Sequence, residues 1–140
     1  MVRVMASGVF DILHTGHISY LEQAKAMGDE LYVVVASDDT VRKRKHEPIT
    51  PENMRLKIVS SLKVVDKAFL GNSGGDMYSI LETVKPDIIV LGFDQTFDEE
   101  QLESDLRSKG YDIRVKRASQ SAEDLEATRA IIRKIRQRNE

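Results

Sequence analysis

Val2-Arg3-Val4-Met5-Ala6-Ser7-Gly8-Val9-Phe10-Asp11-Ile12-Leu13-His14-Thr15-Gly16-His17 opens the chain and sets its architecture. Val2 to Ala6 is an apolar run of strand length that ends at Ser7-Gly8. From His17 to Met27, Ile18, Leu21, Ala24 and Met27 recur near helical spacing, and Gly28 supplies a C-terminal stop. A buried strand that passes through a turn straight into a helix puts residues 8–17 at the carboxyl end of a sheet.

The same alternation continues outward from that unit. Leu31 to Ala36 is apolar throughout, as a strand covered on both faces should be. Pro51 to Leu62 follows Thr50, with Pro at the first helical position and Met54, Ile58, Val59 and Leu62 as the buried stripe. Val64 to Leu70 is a weaker third strand, and Asp76 to Val84 a helix stopped before Pro86. Asp87 to Leu91 is another buried strand ending at Gly92. Asp98 to Lys109 is a charged helix with Leu102 and Leu106 on one side, closed by Gly110. Tyr111 to Val115 is a last strand. Ala122 to Arg136 is helical, with Leu125, Ile131, Ile132 and Ile135 inward. Strands alternating with crossover helices predict an α/β fold: a doubly wound, five-stranded parallel sheet, Rossmann-like, in the order 3-2-1-4-5. In such sheets ligands bind beyond the carboxyl ends of the strands, at the switch point beside the first strand. The segments after strands one, four and five are therefore expected to converge.

The length of 140 residues suits a single domain spanning 1–140. A formal charge of -2 gives no wide attraction for a polyanion, which argues against nucleic acid as a partner. Cysteine is absent, which excludes disulfides, thiolate catalysis and Cys-ligated zinc. No stretch approaches the roughly 20 apolar residues of a membrane span, and the N-terminal run is too short for a signal peptide. A cytoplasmic location with no membrane partner is expected.

Chemistry concentrates in Gly8 to His17. A helix N-terminus presents free N–H groups and partial positive charge, which suits a phosphate. Two imidazoles beside it can stabilise charge building on phosphate oxygens during in-line displacement. Gly16 lets the backbone approach a bulky triphosphate. A zinc site is poorly supported, because His46 is the only other histidine, and no protein metal ligands are assigned. The glycine, two residues, aspartate, then His14-Thr15-Gly16-His17 resembles the signature of the cytidylyltransferase-like nucleotidyltransferases. The resemblance implies that His14 and His17 contact the triphosphate and the transition state. It also implies that Val9 and Phe10 lay their backbone against the nucleotide, within an ATP site that includes Thr15 and Gly16. Asp11 reads as ordering the turn, and Ile12 and Leu13 as core packing.

Within that superfamily, Leu91-Gly92-Phe93-Asp94-Gln95-Thr96-Phe97-Asp98-Glu99-Glu100 is similar to the corresponding segment of the archaeal FAD synthases. So are Lys85 to Gly92 and Asp38-Asp39-Thr40-Val41. This resemblance covers nearly the whole chain and implies transfer of AMP from ATP to FMN with release of pyrophosphate. It points to Asp94 as a nucleotide contact, and the resemblance to the wider superfamily implies a homodimer. A divalent metal cation, Mg2+ or similar, is the expected cofactor, bridging phosphates rather than sitting in a protein cage. Two other readings stay open. One is a CTP-dependent glycerol-3-phosphate cytidylyltransferase, although its Arg-Thr-x-Gly-Ile-Ser-Thr-Thr phrase is missing from 117–129, where Thr128 survives as a phosphate contact. The other is a non-catalytic nucleotide sensor. Lys43 and Lys45 in the run Arg42-Lys43-Arg44-Lys45, together with Arg55, are candidate phosphate-binding cations.

Overall fold

The computed structural model describes residues 1–44, 47–72, 77–120 and 128–138, with the backbone alone at 77 and 128. Five parallel strands form one sheet in the order β3-β2-β1-β4-β5, as the alternation of elements predicts. In chain order these are β1 (Arg3–Gly8), α1 (Thr15–Ala26), β2 (Glu30–Val35), α2 (Asp38–Lys43), α3 (Glu52–Ser60) and β3 (Lys67–Leu70). They continue with α4 (Met77–Val84), β4 (Ile88–Leu91), α5 (Glu99–Ser108), β5 (Arg114–Arg117) and α6 (Thr128–Arg136).

The strands read as unbroken apolar runs because alternate residues enter two different cores. Val4, Ala6, Leu31, Val33, Val35, Ile88 and Val90 meet Leu21, Ala24 and Val59 from α1 and α3 on one face. Met5, Val34, Ile89 and Leu91 meet Leu81, Val84 and Leu106 from α4 and α5 on the other. The registers Val4↔Leu31 and Val4↔Ile88 fix β1 as the central strand.

The structure corrects the sequence expectations in several places. Of the expected stripe on α3, Val59 is fully buried and Leu62 packs on the core, whereas Met54 and Ile58 are 56% and 42% exposed. The place taken inward beside Val59 belongs to Arg55, a cation that an apolar pattern does not mark. The last strand begins at Arg114 rather than Tyr111. Gly110 takes φ +92 and the Tyr111 amide returns to the Leu106 carbonyl at 2.9 Å, so this stretch ends α5 before pairing begins. β3 starts at Lys67, after a turn through Val64 and Val65 that still packs on the core. Helix α2 went unrecognised: its six residues are too short for a periodicity. It is nonetheless capped by Ser37, whose hydroxyl accepts from the Thr40 amide at 3.2 Å, with acids in its first turn and bases in its last. For the last helix, residues 121–127 of the expected span lie outside the described residues, and α6 runs from Thr128.

Candidate active site

Two departures from ordinary backbone geometry shape the turn after β1. Phe10 and Ile12 take φ 56 and 52, the left-handed region that bulky side chains avoid at a cost of about 1–2 kcal/mol each. The surroundings hold them there. Phe10 is buried to 3% exposure, its ring lying over Gly8, where a Cβ would come within 3.2 Å of the ring carbons. Asp11, also buried, accepts from the Ile49 amide at 2.8 Å and the Thr50 amide at 2.9 Å, so it fastens this turn to the segment leading into α3.

The turn delivers His14 to the N-cap of α1 and His17 to its third position, where the two imidazoles cap the helix reciprocally. His14 Nδ1 accepts from the Gly16 amide at 3.0 Å, and His17 Nδ1 accepts from the His14 amide at 3.2 Å. Ser or Thr followed by Glu or Gln usually fills this capping pattern. The rings stack with centroids 3.8 Å apart, and Phe10 leans against His17 at 5.4 Å. Both Nδ1 atoms act as acceptors, so each neutral imidazole carries its proton on Nε2, the nitrogen away from the backbone it caps. The His17 pKa is lowered from 6.5 to about 4, chiefly by burial and further by the neighbouring His14, against an opposing pull from Asp11. His17 is therefore a neutral Nε2–H donor at physiological pH.

The segment after β4 meets this turn at the switch point. Gln95 Nε2 donates to the Ser7 carbonyl at 3.2 Å while its Oε1 accepts from the Gly92 amide at 3.2 Å. Arg117, at the end of β5, gathers the segment from below. Its guanidinium donates to the carbonyls of Gly92 and Gln95, each at 2.8 Å, and to that of Phe97, and it pairs with Glu99. Asp94 is exposed on this ordered loop, flanked by Phe93 and Phe97, which are 41% and 44% exposed. The segments after β1 and β4, with the end of β5, thus converge as topology predicts.

The expected cations fall differently. Lys43 is exposed at the end of α2. Lys45 lies outside the described residues, and of Thr128 only the backbone, at the first position of α6, is described. Arg55 offers no surface for a phosphate. It is fully buried, and its guanidinium donates to the carbonyls of Thr50, Val9 and Ala36 and to Asp38 Oδ1, all at 2.7–2.8 Å. It staples the turn after β1, the end of β2 and the approach to α3. Val9 therefore lends its carbonyl to Arg55, while Thr15 is exposed at the helix mouth and Gly16 donates to His14.

Sequence reasoning overlooked Gln95, Arg117 and Tyr20, whose hydroxyl on α1 accepts from the Ser7 amide and donates to the Val90 carbonyl beside the crevice. Gln95 stood within the quoted segment after strand four, and Arg117 stood at a strand's carboxyl end. Tyr20 gave no signal, since a tyrosine on a helix face reads as packing.

Residues 5–136 match the family described as cytidylyltransferase-like, which agrees with the histidine pair at a helix mouth beside the sheet's switch point. The chain belongs to that family. Among curated cytidylyltransferase-like relatives, the FAD synthase of Aciduliprofundum boonei is 54% identical over 96% of this chain and 91% of its own. That of Thermoplasma volcanium is 50% identical over 96% and 94%. A crystal structure titled lipopolysaccharide core biosynthesis protein, from Thermoplasma volcanium, superposes with a TM-score of 0.83 at 54% identity, covering 86% of this chain and 98% of that one. A pantoate-beta-alanine ligase from Francisella tularensis, solved with beta-gamma ATP and beta-alanine, shares the fold at a TM-score of 0.61 and 15% identity, covering 87% of this chain and 60% of that one.

In this cytidylyltransferase-like chain the chemistry available at the crevice is donation of hydrogen bonds to anionic oxygen. The helix mouth and two fixed Nε2–H groups supply it, in a site with no cysteine. Among the described residues no three His, Asp or Glu side chains are grouped to hold a metal ion, and no helix is long and apolar enough to cross a membrane.

Proposed function

We infer that this chain is an FMN adenylyltransferase: it transfers AMP from ATP to FMN and releases pyrophosphate. The observation that carries the reading is the reciprocal histidine cap of α1, found in a chain about half identical, over nearly all its length, to several archaeal FAD synthases. A terminal phosphate oxygen of FMN attacks the α-phosphorus of ATP, the bond from that phosphorus to the bridging oxygen breaks, and pyrophosphate departs. The attacking phosphate is already ionised at neutral pH, so no side chain has to remove a proton.

His14 and His17 act by donation from Nε2 to the oxygens on which charge builds, and their fixed orientation removes a reorganisation cost from the step. Gly16 and Thr15 shape the helix mouth over which the phosphates lie, and Val9 and Phe10 form its floor. Asp94 on the Arg117-held loop faces the nucleotide, Lys43 and Lys45 attract phosphate, and the start of α6 at Thr128 adds a further contact. A divalent cation would accompany the ATP and would offset charge on its phosphates, with no side chain assigned to hold it. The same reading places the protein in the cytoplasm as one domain that works as a homodimer. Met54, Ile58 and Ile49, all exposed apolar residues on or next to α3, support that assembly.

A second reading, transfer of CMP to a small phosphorylated precursor, is favoured by the solved Thermoplasma volcanium relative, which is named a lipopolysaccharide core biosynthesis protein. One panel tests both: ATP and CTP, each with FMN and with glycerol 3-phosphate, followed by pyrophosphate release. Turnover with ATP and FMN alone is expected. Turnover only with CTP and glycerol 3-phosphate overturns the proposal, and nucleotide binding without any turnover makes the chain a sensor.

A further inference from the structure

The two neighbours of β1 leave it at different heights. With β2 the pairing runs to Gly8↔Val35, but with β4 it stops at Ala6↔Val90. Ser7 is the first residue past the parting, and in an open crevice its amide and carbonyl would lack a strand partner. Side chains take the place of the missing ladder. The Ser7 amide donates to the Tyr20 hydroxyl at 3.1 Å, and that hydroxyl donates to the Val90 carbonyl at 2.6 Å. The Ser7 carbonyl accepts from Gln95 Nε2 at 3.2 Å and also lies 3.3 Å from the Tyr20 hydroxyl. One phenol thus bridges β1 and β4 where they separate, and one carboxamide bridges β1 and the loop beyond.

Tyr20 lies on α1 three residues after His17, one turn along the same side of the helix. Anchoring its hydroxyl to the backbones of Ser7 and Val90 fixes both the depth of α1 and its rotation about its own axis. The position of His17 follows from that rotation, and His17 in turn caps the backbone of His14. We infer that Tyr20 is a positioning residue for nucleotidyl transfer, locking the two imidazoles to the sheet at the parting of β1 and β4. Packing alone would be served by phenylalanine; the hydroxyl is needed because backbone groups of half-buried Ser7 and buried Val90 converge on it. Burial raises the phenol's pKa, so it remains a donor to Val90 throughout the working pH range.

The inference rests on the adenylyltransferase reading for its activity readout, and its second readout is independent of any substrate. Tyr20→Phe keeps the ring and removes only the bridging oxygen. In assays with ATP, FMN and magnesium, kcat is expected to fall on the order of 10- to 100-fold, the scale of a small misplacement of reacting groups. KM for ATP should stay within about threefold, because the helix mouth and the loop after β4 remain. In nitrogen-15 spectra of histidine-labelled protein, the wild-type His14 and His17 signals should report protonated Nε2 and acceptor Nδ1. In Tyr20→Phe they should move toward tautomer averaging. Gln95→Leu removes the other side-chain tie to Ser7 and so loosens the backbone to which Tyr20 is anchored; it should change both readouts in the same direction and serves if Tyr20→Phe does not fold. Tyr111→Phe, whose hydroxyl bonds Glu82 away from the crevice, should leave both unchanged. A kcat within twofold of wild type, unmoved imidazole signals, or activity lost only in proportion to folded protein overturns the inference. Wild-type protein that turns over no ATP with FMN refutes the functional reading instead, and the imidazole spectra still decide the role of Tyr20.

Discussion

Protonating His17 should destabilise this fold, and the size of the effect follows from its surroundings. In the unfolded chain the imidazole takes up a proton as the pH falls through 6.5; in the folded chain, boxed between Phe10 and His14, it holds out to about 4. Between those values the unfolded state binds the additional proton, so folding stability drops as the pH falls. Above 6.5 the loss is absent, at pH 5 it reaches about 2 kcal/mol, and below 4 it levels near 3 kcal/mol. His17→Gln is the informative variant, because a glutamine oxygen can still accept from the His14 amide and preserve the cap. Urea unfolding of wild type and variant at pH 8, 6, 5 and 4.5 isolates the effect, since carboxylates common to both cancel in the difference. The gap between the two proteins should shift by about 2 kcal/mol in favour of the variant between pH 8 and pH 5. A gap that stays constant over that range, or a free-protein imidazole titrating near 6.5, would refute the reasoning. A polyphosphate at the helix mouth favours the imidazolium, so ATP binding should draw the His17 midpoint upward and take up protons below pH 6.5.

Arg55→Met should cost about 3–5 kcal/mol in urea unfolding, because it leaves Asp38 and three carbonyls without their buried partner; a loss under about 1 kcal/mol contradicts the staple assigned to it. Arg117→Met releases the loop that carries Asp94 and should raise KM for ATP about tenfold, a loss of about 1.4 kcal/mol of binding, with a smaller effect on kcat; unchanged KM by steady-state kinetics removes that loop from the nucleotide site. Gly8→Ala sets a Cβ 3.2 Å from the confined Phe10 ring and should destabilise by about 1–3 kcal/mol in the same urea assay; a neutral result means the ring has room to yield. Chelation with EDTA should abolish turnover and leave far-UV circular dichroism unchanged, since the described residues group no metal cage whose loss could unfold the chain.

The sheet was legible because its signal is redundant. Each buried strand is an apolar run, each crossover helix repeats its apolar positions, and glycine or proline marks most boundaries, so strand order followed from alternation and chirality. The histidine pair was legible for a related reason, since a strand, a glycine turn and a helix start confine it to one edge. Arg55 was misread because position along a helix does not say which face a cation takes. Its partners, Val9, Ala36, Thr50 and Asp38, are distant in sequence and converge only after folding. Tyr20 and Arg117 stayed hidden for the same reason: each answers backbone groups exposed by the way neighbouring strands end, and strand ends are not written in a hydrophobic pattern.

The capping geometry bears on why histidine occupies both positions. Asparagine or serine would cap α1 as well as His14 does, and glutamate or glutamine would complete the box at position 17. Neither pair offers a second nitrogen rigidly opposed to the one that accepts. An imidazole does: using Nδ1 to satisfy a helix amide forces the proton onto Nε2 and fixes the direction in which it points. The fold thus sets the tautomer before any substrate arrives. The strained backbone at Phe10 and Ile12 belongs to the same device, since that turn brings His14 to the cap while the Phe10 ring closes over Gly8 and leans on His17. A half-buried, neutral, oriented donor gains most when negative charge appears beside it, which is the moment the α-phosphorus passes from one oxygen to the other.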